Sequence, residues 1–462
     1  MSVWVEGHRA IRYLSPAAPT AAVAWGPRSP HGNLPSPRFQ HATCACPRTG
    51  RLFVVGGTNG REFFDDVHVF DPRNFLWTRL HASSASQLEG GGRARHTVTC
   101  VGGDLLLFGG ICKSGFAPNA LFRLSLDDSE GGPAAGKGGI DWVNSTYSFE
   151  ELKISIGQEV PSPRFSHCAA AFAKKLYIFG GERKGRKFSN TLFSFDLATN
   201  TWQRELQSAS AKSMAPPSGK DFRMILLKTS ESSGTVHLAV LGTNLGVIHC
   251  VPIDTSSGTP ISWEPIKASG QVPGASIADS SMTAVHRQFD ATLIPRPSPA
   301  DNQQDDQQQD GDSAPFHSIL IFGGIVHNPK SMLTDDTHEL KISTANGTAK
   351  WTPVERRGGN AIPSPRIGHS FDCIQFLNTA TGLDCRLAFM FGGTDSSSFR
   401  QDFSFLDLDA PVAAHPVAGI SLSHAGLQQH HHHPKRKKKD VANPTIEEST
   451  VIAAPRHATL TR

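Results

Sequence analysis

The residues most able to do chemistry form a repeated arginine–histidine pattern. The spacing Arg-x-x-His occurs four times, at Arg38 and His41, Arg93 and His96, Arg164 and His167, and Arg366 and His369. Four histidines at equivalent places could surround a transition metal, because imidazole is a common metal ligand. A residue that recurs at the same place in each copy is better explained by a repeated structural task. The pattern therefore predicts side-chain hydrogen bonds to neighbouring loops and no metal site.

Other patterns that would support catalysis are absent or weak. The chain has neither a phosphate-binding Walker sequence nor Gly-x-Ser-x-Gly, and Cys44-Ala-Cys46 has no second pair at zinc-site spacing. The carboxylates Asp65–Asp66 and Asp335–Asp336 each precede an alternating strand, which favours a role in turns over acid–base catalysis. The sequence thus predicts no catalytic residues and no cofactor.

Two basic segments could contact an acidic partner. The first is a predicted loop that carries Arg183, Lys184, Arg186 and Lys187. It either meets an acidic peptide or is a solvated hairpin tip around Gly185. The second is the run Lys435, Arg436, Lys437, Lys438 and Lys439, which follows four histidines. This run could be a nuclear-import signal, a contact for RNA or a membrane, or a plain solvated charge run.

Net charge limits the classes of partner. The chain of 462 residues has 45 Lys and Arg against 41 Asp and Glu, a formal charge of +4. Residues 410–462 hold seven Lys and Arg and three Asp and Glu, so they account for the whole excess. The rest of the chain is neutral, and we expect no DNA binding by it.

Targeting and cysteine patterns favour an intracellular location. Eight cysteines are too few for a disulfide scaffold, and most of them lie among apolar residues, as reduced core thiols would. No secretory signal and no membrane-length apolar run is visible. We expect a cytoplasmic protein, with nuclear entry through residues 435–439 as an open alternative.

Elements that must position these residues recur along the chain. After each Arg-x-x-His comes an apolar run that ends in a glycine pair, then a polar loop, an alternating strand and usually a tryptophan. The glycine pairs are Gly56–Gly57, Gly109–Gly110, Gly180–Gly181, Gly323–Gly324 and Gly392–Gly393, and the tryptophans are Trp77, Trp142, Trp202, Trp263 and Trp351. Two copies are degenerate, with Arg223 and Asp290 at the expected histidine position.

This arrangement resembles the kelch-repeat family. The resemblance rests on the glycine pairs, the tryptophans and the Arg-x-x-His pattern, and it covers residues 21–409. It implies an all-β fold, a six-bladed kelch β-propeller with one four-stranded sheet per repeat. The expected repeats lie near 35–80, 90–145, 161–205, 217–266, 283–354 and 363–409, between an N-terminal extension, 1–20, and a disordered tail, 410–462.

The last repeat lacks a tryptophan, so its fourth strand must come from elsewhere. Residues 21–26, which include Trp25, stand before the first repeat at a suitable distance. We expect them to form the fourth strand of the last blade and close the ring, with Val3-Trp4-Val5 as a weaker candidate.

Antiparallel order sorts the loops between two faces. We call the face on which the first strands begin the upper face, and it carries the loops between second and third strands. Candidate binding residues there are Asn59, Arg61, Arg183, Lys184, Arg186, Lys187 and Arg400. Insertions at 128–140, 296–315 and 377–384 fall on the opposite, lower face, and their compositions indicate flexible segments.

Two functions remain open at this point. The first is a non-catalytic scaffold that binds proteins on the upper face, similar in layout to kelch-only proteins, including the Rab-effector type. The second is an enzyme or enzyme subunit with a small substrate at the channel mouth, near Asp221, Arg223, Arg287 and Asp290. Copper-radical oxidases that resemble this fold need tyrosine ligands, whereas this chain has only Tyr13, Tyr147 and Tyr177, and of these only Tyr177 lies in a predicted core strand. The Glu-x-x-x-Asp-x-x-x-His run of iron-dependent specifier proteins is absent.

Overall fold

The apolar runs before the glycine pairs form the second strands of repeated antiparallel sheets. A computed structural model describes residues 21–24, 30–84, 86, 88–127, 145–154, 159–209, 213–228, 236–242, 244–253, 260–273, 275–276, 281–284, 317–327, 331–357, 362–378 and 383–407. The regular structure of these residues is all strand, which confirms the predicted class. In this part of the chain no helix is long and apolar enough to cross a membrane.

Two units divide the chain, Met1–Ala413 and Ala414–Arg462, and the described residues belong to the first. The expected extension 1–20 and tail 410–462 lie outside the described residues. The same holds for Trp25, Trp142, Arg287, Asp290 and the basic run Lys435–Lys439.

We name the sheets blade one to blade six in chain order, after the isolated strand β1 (Ala21–Ala24). The strands of blades one to three, with their small upper-face sheets, are β2 (His31–Gly32), β3 (Ala42–Cys46), β4 (Arg51–Val55), β5 (Val67–Asp71) and β6 (Leu76–Arg79) in blade one; β7 (His81–Ala82), β8 (Arg93–Ala94), β9 (Thr97–Val101), β10 (Asp104–Phe108), β11 (Ile111–Cys112), β12 (Gly115–Phe116), β13 (Leu121–Asp127) and β14 (Thr146–Glu151) in blade two; and β15 (Arg164–Phe165), β16 (Cys168–Phe172), β17 (Lys175–Phe179), β18 (Glu182–Arg183), β19 (Lys187–Phe188), β20 (Leu192–Asp196) and β21 (Thr201–Arg204) in blade three.

The remaining blades follow the same order. Their strands are β22 (Arg223–Lys228), β23 (Val236–Leu241), β24 (Val247–Ile253) and β25 (Glu264–Gly270) in blade four; β26 (Ala275–Ser276), β27 (Ser281–Ala284), β28 (His317–Phe322), β29 (Ile325–His327), β30 (Ser331–Leu333), β31 (Thr337–Ser343) and β32 (Thr348–Arg357) in blade five; and β33 (Ser370–Asn378), β34 (Leu383–Phe391) and β35 (Phe403–Asp407) in blade six.

Apolar clusters between neighbouring blades close the sheets into a ring. Among the described residues, each cluster takes side chains from two consecutive blades, and one joins blade six to blade one. The first strands line the inside, where β3 contacts both β33 and β9, and β16 contacts both β9 and β22. This architecture is a β-propeller, as predicted.

The third strands are more deeply buried than the alternating pattern predicted. We expected them to be half-buried, yet four of the five residues in β5 and in β20 are buried. The reason is that the neighbouring blades cover both faces of each sheet.

A strand forms within the predicted closing segment, and its described pairing is with the end of blade five. β1 pairs in parallel with the end of β32, with Ala21 opposite Val354, and the described part of blade six is the three-stranded sheet β33–β34–β35. Elsewhere, the segment after a fourth strand pairs in parallel with the fourth strand of the next blade, as β7 does with β14. The end of β32 is the segment that follows the fourth strand of blade five. β1 pairs with this segment, as the fourth strand of the next blade does at the other junctions.

The predicted register of the fourth repeat was off by one residue. Each histidine of the Arg-x-x-His pattern follows a residue with positive φ. In blade four the equivalent residue is Asp221, with φ at +59°. Phe222, not Arg223, therefore stands at the histidine position, and Gly219 stands at the arginine position. The misassignment arose because Lys220 resembled the missing arginine.

The fifth repeat begins earlier than predicted. Its first strand, β27, ends at Ala284, before Arg287, which we had placed at the start of that strand. The pairing of Ala275 with Val326 matches that of Arg93 with Cys112 in blade two. Ala275 therefore takes the arginine position, and without the arginine–histidine signature the sequence offered no landmark.

Trp142 was assigned to the fourth strand of the second repeat, but that strand, β14, begins at Thr146. In β14, Phe149 lies opposite Leu124, as Trp77 lies opposite Phe70 in blade one. Phe149 thus fills the tryptophan position, because only a large apolar side chain is needed there.

A glycine substitution tests how closely the blades approach. An added Cβ at Gly109 would lie 2.5 Å from the Arg164 carbonyl oxygen of the next blade. Gly109→Ala should lower the free energy of unfolding by roughly 1–2 kcal/mol for its positive φ, plus about 1–3 kcal/mol for overpacking. Gly185→Ala is the control, since Gly185 also has positive φ but nothing lies within 4 Å of its added Cβ. If both variants lost the same free energy of unfolding in urea denaturation, the close approach at Gly109 would be contradicted.

Deletion of the N-terminal strand tests its pairing with blade five. Removal of residues 1–27 should lower the melting temperature, because it exposes the edge of β32. Removal of residues 1–20 leaves β1 in place and is the matched control. Identical melting of the two truncated proteins would show that β1 does not stabilise the propeller.

Candidate interaction face

The arginine, the glycine pair and the histidine of successive repeats build one recurring joint between blades. Between blades two and three, the Gly110 amide donates to the Arg164 carbonyl at 2.9 Å. The Arg164 guanidinium donates to the Gly180 carbonyl of its own blade at 3.0 Å. The ring of His167 packs edge-on against Phe108, with centroids 5.4 Å apart. We call this set of contacts the inter-blade joint.

The joint recurs around the ring. The equivalent amide–carbonyl bonds join Gly57 to Arg93, Gly324 to Arg366 and Gly393 to Arg38 at 2.8, 3.1 and 2.9 Å. The equivalent guanidinium–carbonyl bonds join Arg38 to Gly56, Arg93 to Gly109 and Arg366 to Gly392 at 2.9, 3.3 and 3.0 Å. In blade four, Phe222 replaces the histidine and packs against Phe179 at 5.3 Å.

The tryptophans complete the joint from the outer side. The phenylalanine that ends a second strand is held between the histidine and the tryptophan of the following blade. Phe391 shows this, with its centroid 5.3 Å from His41 and 5.6 Å from Trp77. Trp202 and Trp263 make the same contact with Phe108 and Phe179. In blade five, the Trp351 indole donates to the Leu245 carbonyl at 2.9 Å.

His41 and His167 bond to a neighbouring strand instead of the neighbouring loop that we predicted. His41 Nε2 lies 3.0 Å from Ser370 Oγ, and His167 Nε2 lies 2.9 Å from Thr97 Oγ1. Burial, and then the nearby Arg38, lowers the pKa of His41 to about 3. Burial, and then Arg164, lowers the pKa of His167 to about 3. These imidazoles are therefore neutral and serve as packing and hydrogen-bonding groups.

Two carboxylates complete the joint; Asp66 was assigned to a turn at the sequence level, and Asp402 was missed. Asp66 accepts two hydrogen bonds from Arg38, at 2.6 and 2.9 Å, and Asp402 accepts two from Arg366, at 2.8 and 2.7 Å. Burial acts to raise the pKa of Asp66, but bonds from Arg38 and His68 hold it well below its usual range. The available signal was an aspartate directly before the third strand in repeats one, five and six.

The other two arginines of the pattern have no carboxylate partner among the described residues. Burial lowers the pKa of Arg93 to about 10, and burial together with Arg183 lowers the pKa of Arg164 to about 10. Both remain cations at neutral pH. Each lies near the ring of a phenylalanine in its own blade, Phe122 or Phe193.

A series of backbone hydrogen bonds links blade six, through blades one, two and three, to blade four at the channel mouth. The amide of Gln40 donates to Gly368, Arg95 to Gln40, Ser166 to Arg95 and Asp221 to Ser166, at 2.7–3.0 Å. Below it lies a cavity of about 290 Å³. Asp221 and Arg223, two of the four residues proposed for an enzymatic site, line this cavity. The other two, Arg287 and Asp290, lie outside the described residues.

A polar contact between the neighbouring inner strands β3 and β33 joins the last blade to the first. Thr43 donates to Asp372, which also lines the cavity. Burial raises the pKa of Asp372, although the bond from Thr43 opposes this. The arrangement makes the channel polar at the junction where the ring closes.

The candidate binding residues divide among three blades. Arg183, Lys184, Arg186 and Lys187 belong to the hairpin of β18 and β19 on blade three, which we call the blade-three hairpin. Asn59 and Arg61 belong to blade one, and Arg400 to blade six. Asn59 caps its own loop by accepting bonds from the amides of Arg61 and Glu62, and Arg400 pairs with Asp395 inside its loop. Arg61 is exposed.

The blade-three hairpin presents cations on a fixed base. Lys184, Arg186 and Lys187 are exposed, while Arg183 is half-buried. At its base, Glu182 forms an ion pair with Lys220 of the next blade at 2.8 Å. Phe188 beside it is 40% exposed. The hairpin therefore combines three solvent-facing cations with an apolar ring.

In the part of the chain that the structure describes, no three His, Cys, Asp or Glu side chains are grouped so as to hold a metal ion. The eight cysteines are free thiols, and the sulfur atoms of Cys46 and Cys100 lie 3.8 Å apart across blades one and two.

The pH dependence of stability tests the neutral histidines. His167 has an ordinary pKa of 6.5 when unfolded and about 3 when folded, so only the unfolded chain gains this proton as the pH falls from 6.5 toward 3. This histidine should therefore lower the free energy of unfolding by about 1.4 kcal/mol for each unit that the pH is reduced in this range. His167→Phe, which copies Phe222, should flatten the slope of unfolding free energy by that amount.

Urea unfolding at several pH values between 6.5 and 4 measures this slope. His81→Gln is the control, because His81 is exposed in blade two. The neutral-histidine account would be wrong if the His167→Phe protein and the unaltered protein lost stability at the same rate.

Comparisons with known proteins agree with this geometry. A family profile described as the KLHDC2/KLHL20/DRC7 Kelch-repeats domain matches residues 18–138, and the Kelch motif matches residues 163–205. The Rab9 effector protein with kelch motifs of Mus musculus is 29% identical over 199 residues, which are 41% of this chain and 46% of that protein. Tip elongation aberrant protein 1 of Schizosaccharomyces pombe is 30% identical over 169 residues, which are 36% of this chain and 13% of that protein.

The flagellar outer-arm dynein alpha chain of Chlamydomonas reinhardtii is 30% identical over 183 residues, 38% of this chain and 4% of that protein. The matched segments thus span less than half of the length of these relatives. Since family profiles, relatives and the inter-blade joint agree, the chain is a kelch-repeat protein with a β-propeller fold.

Proposed function

We propose that this kelch propeller is a non-catalytic scaffold that binds a protein partner with an acidic surface through the blade-three hairpin. The observation that carries the proposal is the exposure of Lys184, Arg186 and Lys187 beside Phe188 on a hairpin with a fixed base. Cations around an aromatic ring suit an acidic protein segment that also offers an apolar contact.

The fixed base is what separates this hairpin from a solvated turn. Lys220 of blade four bonds to Glu182 and lies 5.8 and 5.9 Å from the ring centres of Phe165 and Phe188. Phe165 packs in turn on Phe116 of blade two, at 5.3 Å. Three blades therefore hold the hairpin, which reduces the entropy lost when a partner binds.

The polar residues of the repeats support a scaffold over an enzyme. The arginines and histidines of the Arg-x-x-His pattern, with Asp66 and Asp402, are buried or paired in the joints between blades. The mouse relative is named as an effector of Rab9, which supports a role in protein binding. The proposal therefore extends to a scaffold within a trafficking or regulatory assembly. The nuclear-import role of residues 435–439 stays a prediction.

A small-substrate site in the channel is the second candidate function. It is favoured by Asp221, Arg223 and Asp372, whose side chains line one polar cavity. A site of this kind would make the protein an enzyme or an enzyme subunit.

Charge removal on opposite faces of one blade tests the scaffold. Lys184→Gln with Lys187→Gln should reduce the yield of captured partners several-fold in affinity purification with quantitative mass spectrometry, because it removes two cations from the hairpin. Lys174→Gln with Lys175→Gln removes the same charge from the lower-face turn of blade three and should change nothing. Added salt should weaken the capture by the unaltered protein.

Equal partner yields from the two double variants would contradict binding by the hairpin. A partner set that depends instead on Arg223 would move the function to the channel.

A further inference from the structure

The ion pairs of the inter-blade joint give an internal template for binding a guanidinium group. In blades one and six, an aspartate directly before the third strand receives two bonds from the buried arginine of the same blade. The pairs are Arg38 with Asp66 and Arg366 with Asp402. Such two-pronged contacts are among the strongest that a carboxylate makes in proteins.

Blade five keeps the aspartate but not the arginine. Asp336 occupies the position in blade five that Asp66 has in blade one. The Asp336 carbonyl accepts a hydrogen bond from the Gly323 amide at 3.2 Å, as the Asp66 carbonyl does from the Gly56 amide. The strand register places Ala275 where the other blades carry arginine. The Asp336 carboxylate is exposed, and its bonding partner is Thr334 at 2.6 Å. No ion pair to Asp336 is present among the described residues.

A cavity stands beside this carboxylate. It has a volume of about 500 Å³, and its lining includes Asp336, Thr337, Pro353, Val354 and Ile362. Thr337 is only 2% exposed, and its hydroxyl has no hydrogen-bond partner in the described part of the chain. A buried hydroxyl without a partner is costly, so a donor or acceptor that entered the cavity would satisfy it.

We propose that this cavity on blade five binds the guanidinium group of an arginine side chain from a partner protein. Asp336 supplies the carboxylate for a two-pronged contact, and the Thr337 hydroxyl accepts a further bond. Pro353, Val354 and Ile362 form an apolar wall for the methylene stem of the arginine. Lysine fits less well, because its ammonium is a point charge without the planar fork.

This site is separate from the blade-three hairpin. It recognises a cation, whereas the hairpin presents cations. A failure of one site therefore leaves the other untouched, and a small peptide can test the cavity without the scaffold's partner.

The probe is the blocked tripeptide acetyl-Gly-Arg-Gly-amide, titrated into the full chain and followed by saturation-transfer NMR. Its lysine and citrulline counterparts test charge and shape. Asp336→Asn should weaken binding of the arginine peptide several-fold. Thr337→Val should weaken it to a smaller extent, and it should fold because Val67 holds that position in blade one. Asp402→Asn is the control and should leave binding unchanged, since Arg366 already occupies that site.

A further variant places an arginine of the protein itself in the site. Ala275→Arg restores the residue that the template carries, so it should abolish peptide binding and raise the melting temperature. The proposal would be overturned if the arginine peptide did not bind at millimolar concentration or if citrulline or lysine bound equally well. It would also be overturned if neither Asp336→Asn nor Ala275→Arg changed binding.

Discussion

The close approach of the backbone at each glycine pair is the contact on which the propeller depends. At Gly109, the next blade's Arg164 carbonyl is so near that a Cβ could not fit. The second glycine of the pair can then donate to that same carbonyl, and the arginine side chain returns to the glycine carbonyl of its own blade. Each joint therefore couples backbone, cation and aromatic packing, and its loss would separate two blades rather than loosen one side chain.

This constraint determines which polar residues remain for function. Arginine, histidine and aspartate of the joint are buried or paired, and so they explain structure rather than chemistry. The departures from the pattern are more informative. Blades two and three have the arginine without the aspartate, whereas blade five has the aspartate without the arginine. Asp66 and Asp402 are each paired with the arginine of their own blade, whereas Asp336 has no ion pair among the described residues and lies beside a cavity. The blade-three hairpin lies outside the joint altogether, which leaves its cations to solvent.

Sequence reasoning succeeded where the same residues recur and failed where a repeat replaces them. Gly56–Gly57 and Trp77 gave the correct strand positions, because their roles allow few substitutes. Phe222 and Phe149 were missed because a phenylalanine can fill the space of a histidine or a tryptophan. Core packing depends on the volume and shape of the side chain more than on its residue type. The start of blade five was misplaced because Ala275 carries no trace of the arginine that it replaces. The parallel pairing of β1 with the end of β32 could not be read from the residues of β1 alone, because a strand's sequence does not specify which strand edge it meets.

The sequence by itself determined the all-β class, the repeat order and the division between a neutral propeller and a basic tail. These follow from local patterns and composition, which act over a few residues. Only the tertiary structure decided that His41 bonds to the strand of another blade, that Asp66 pairs with Arg38, and that Asp336 has no ion pair within the described part of the chain. Those outcomes depend on residues tens to hundreds of positions apart, which the closure of the ring brings within hydrogen-bond distance.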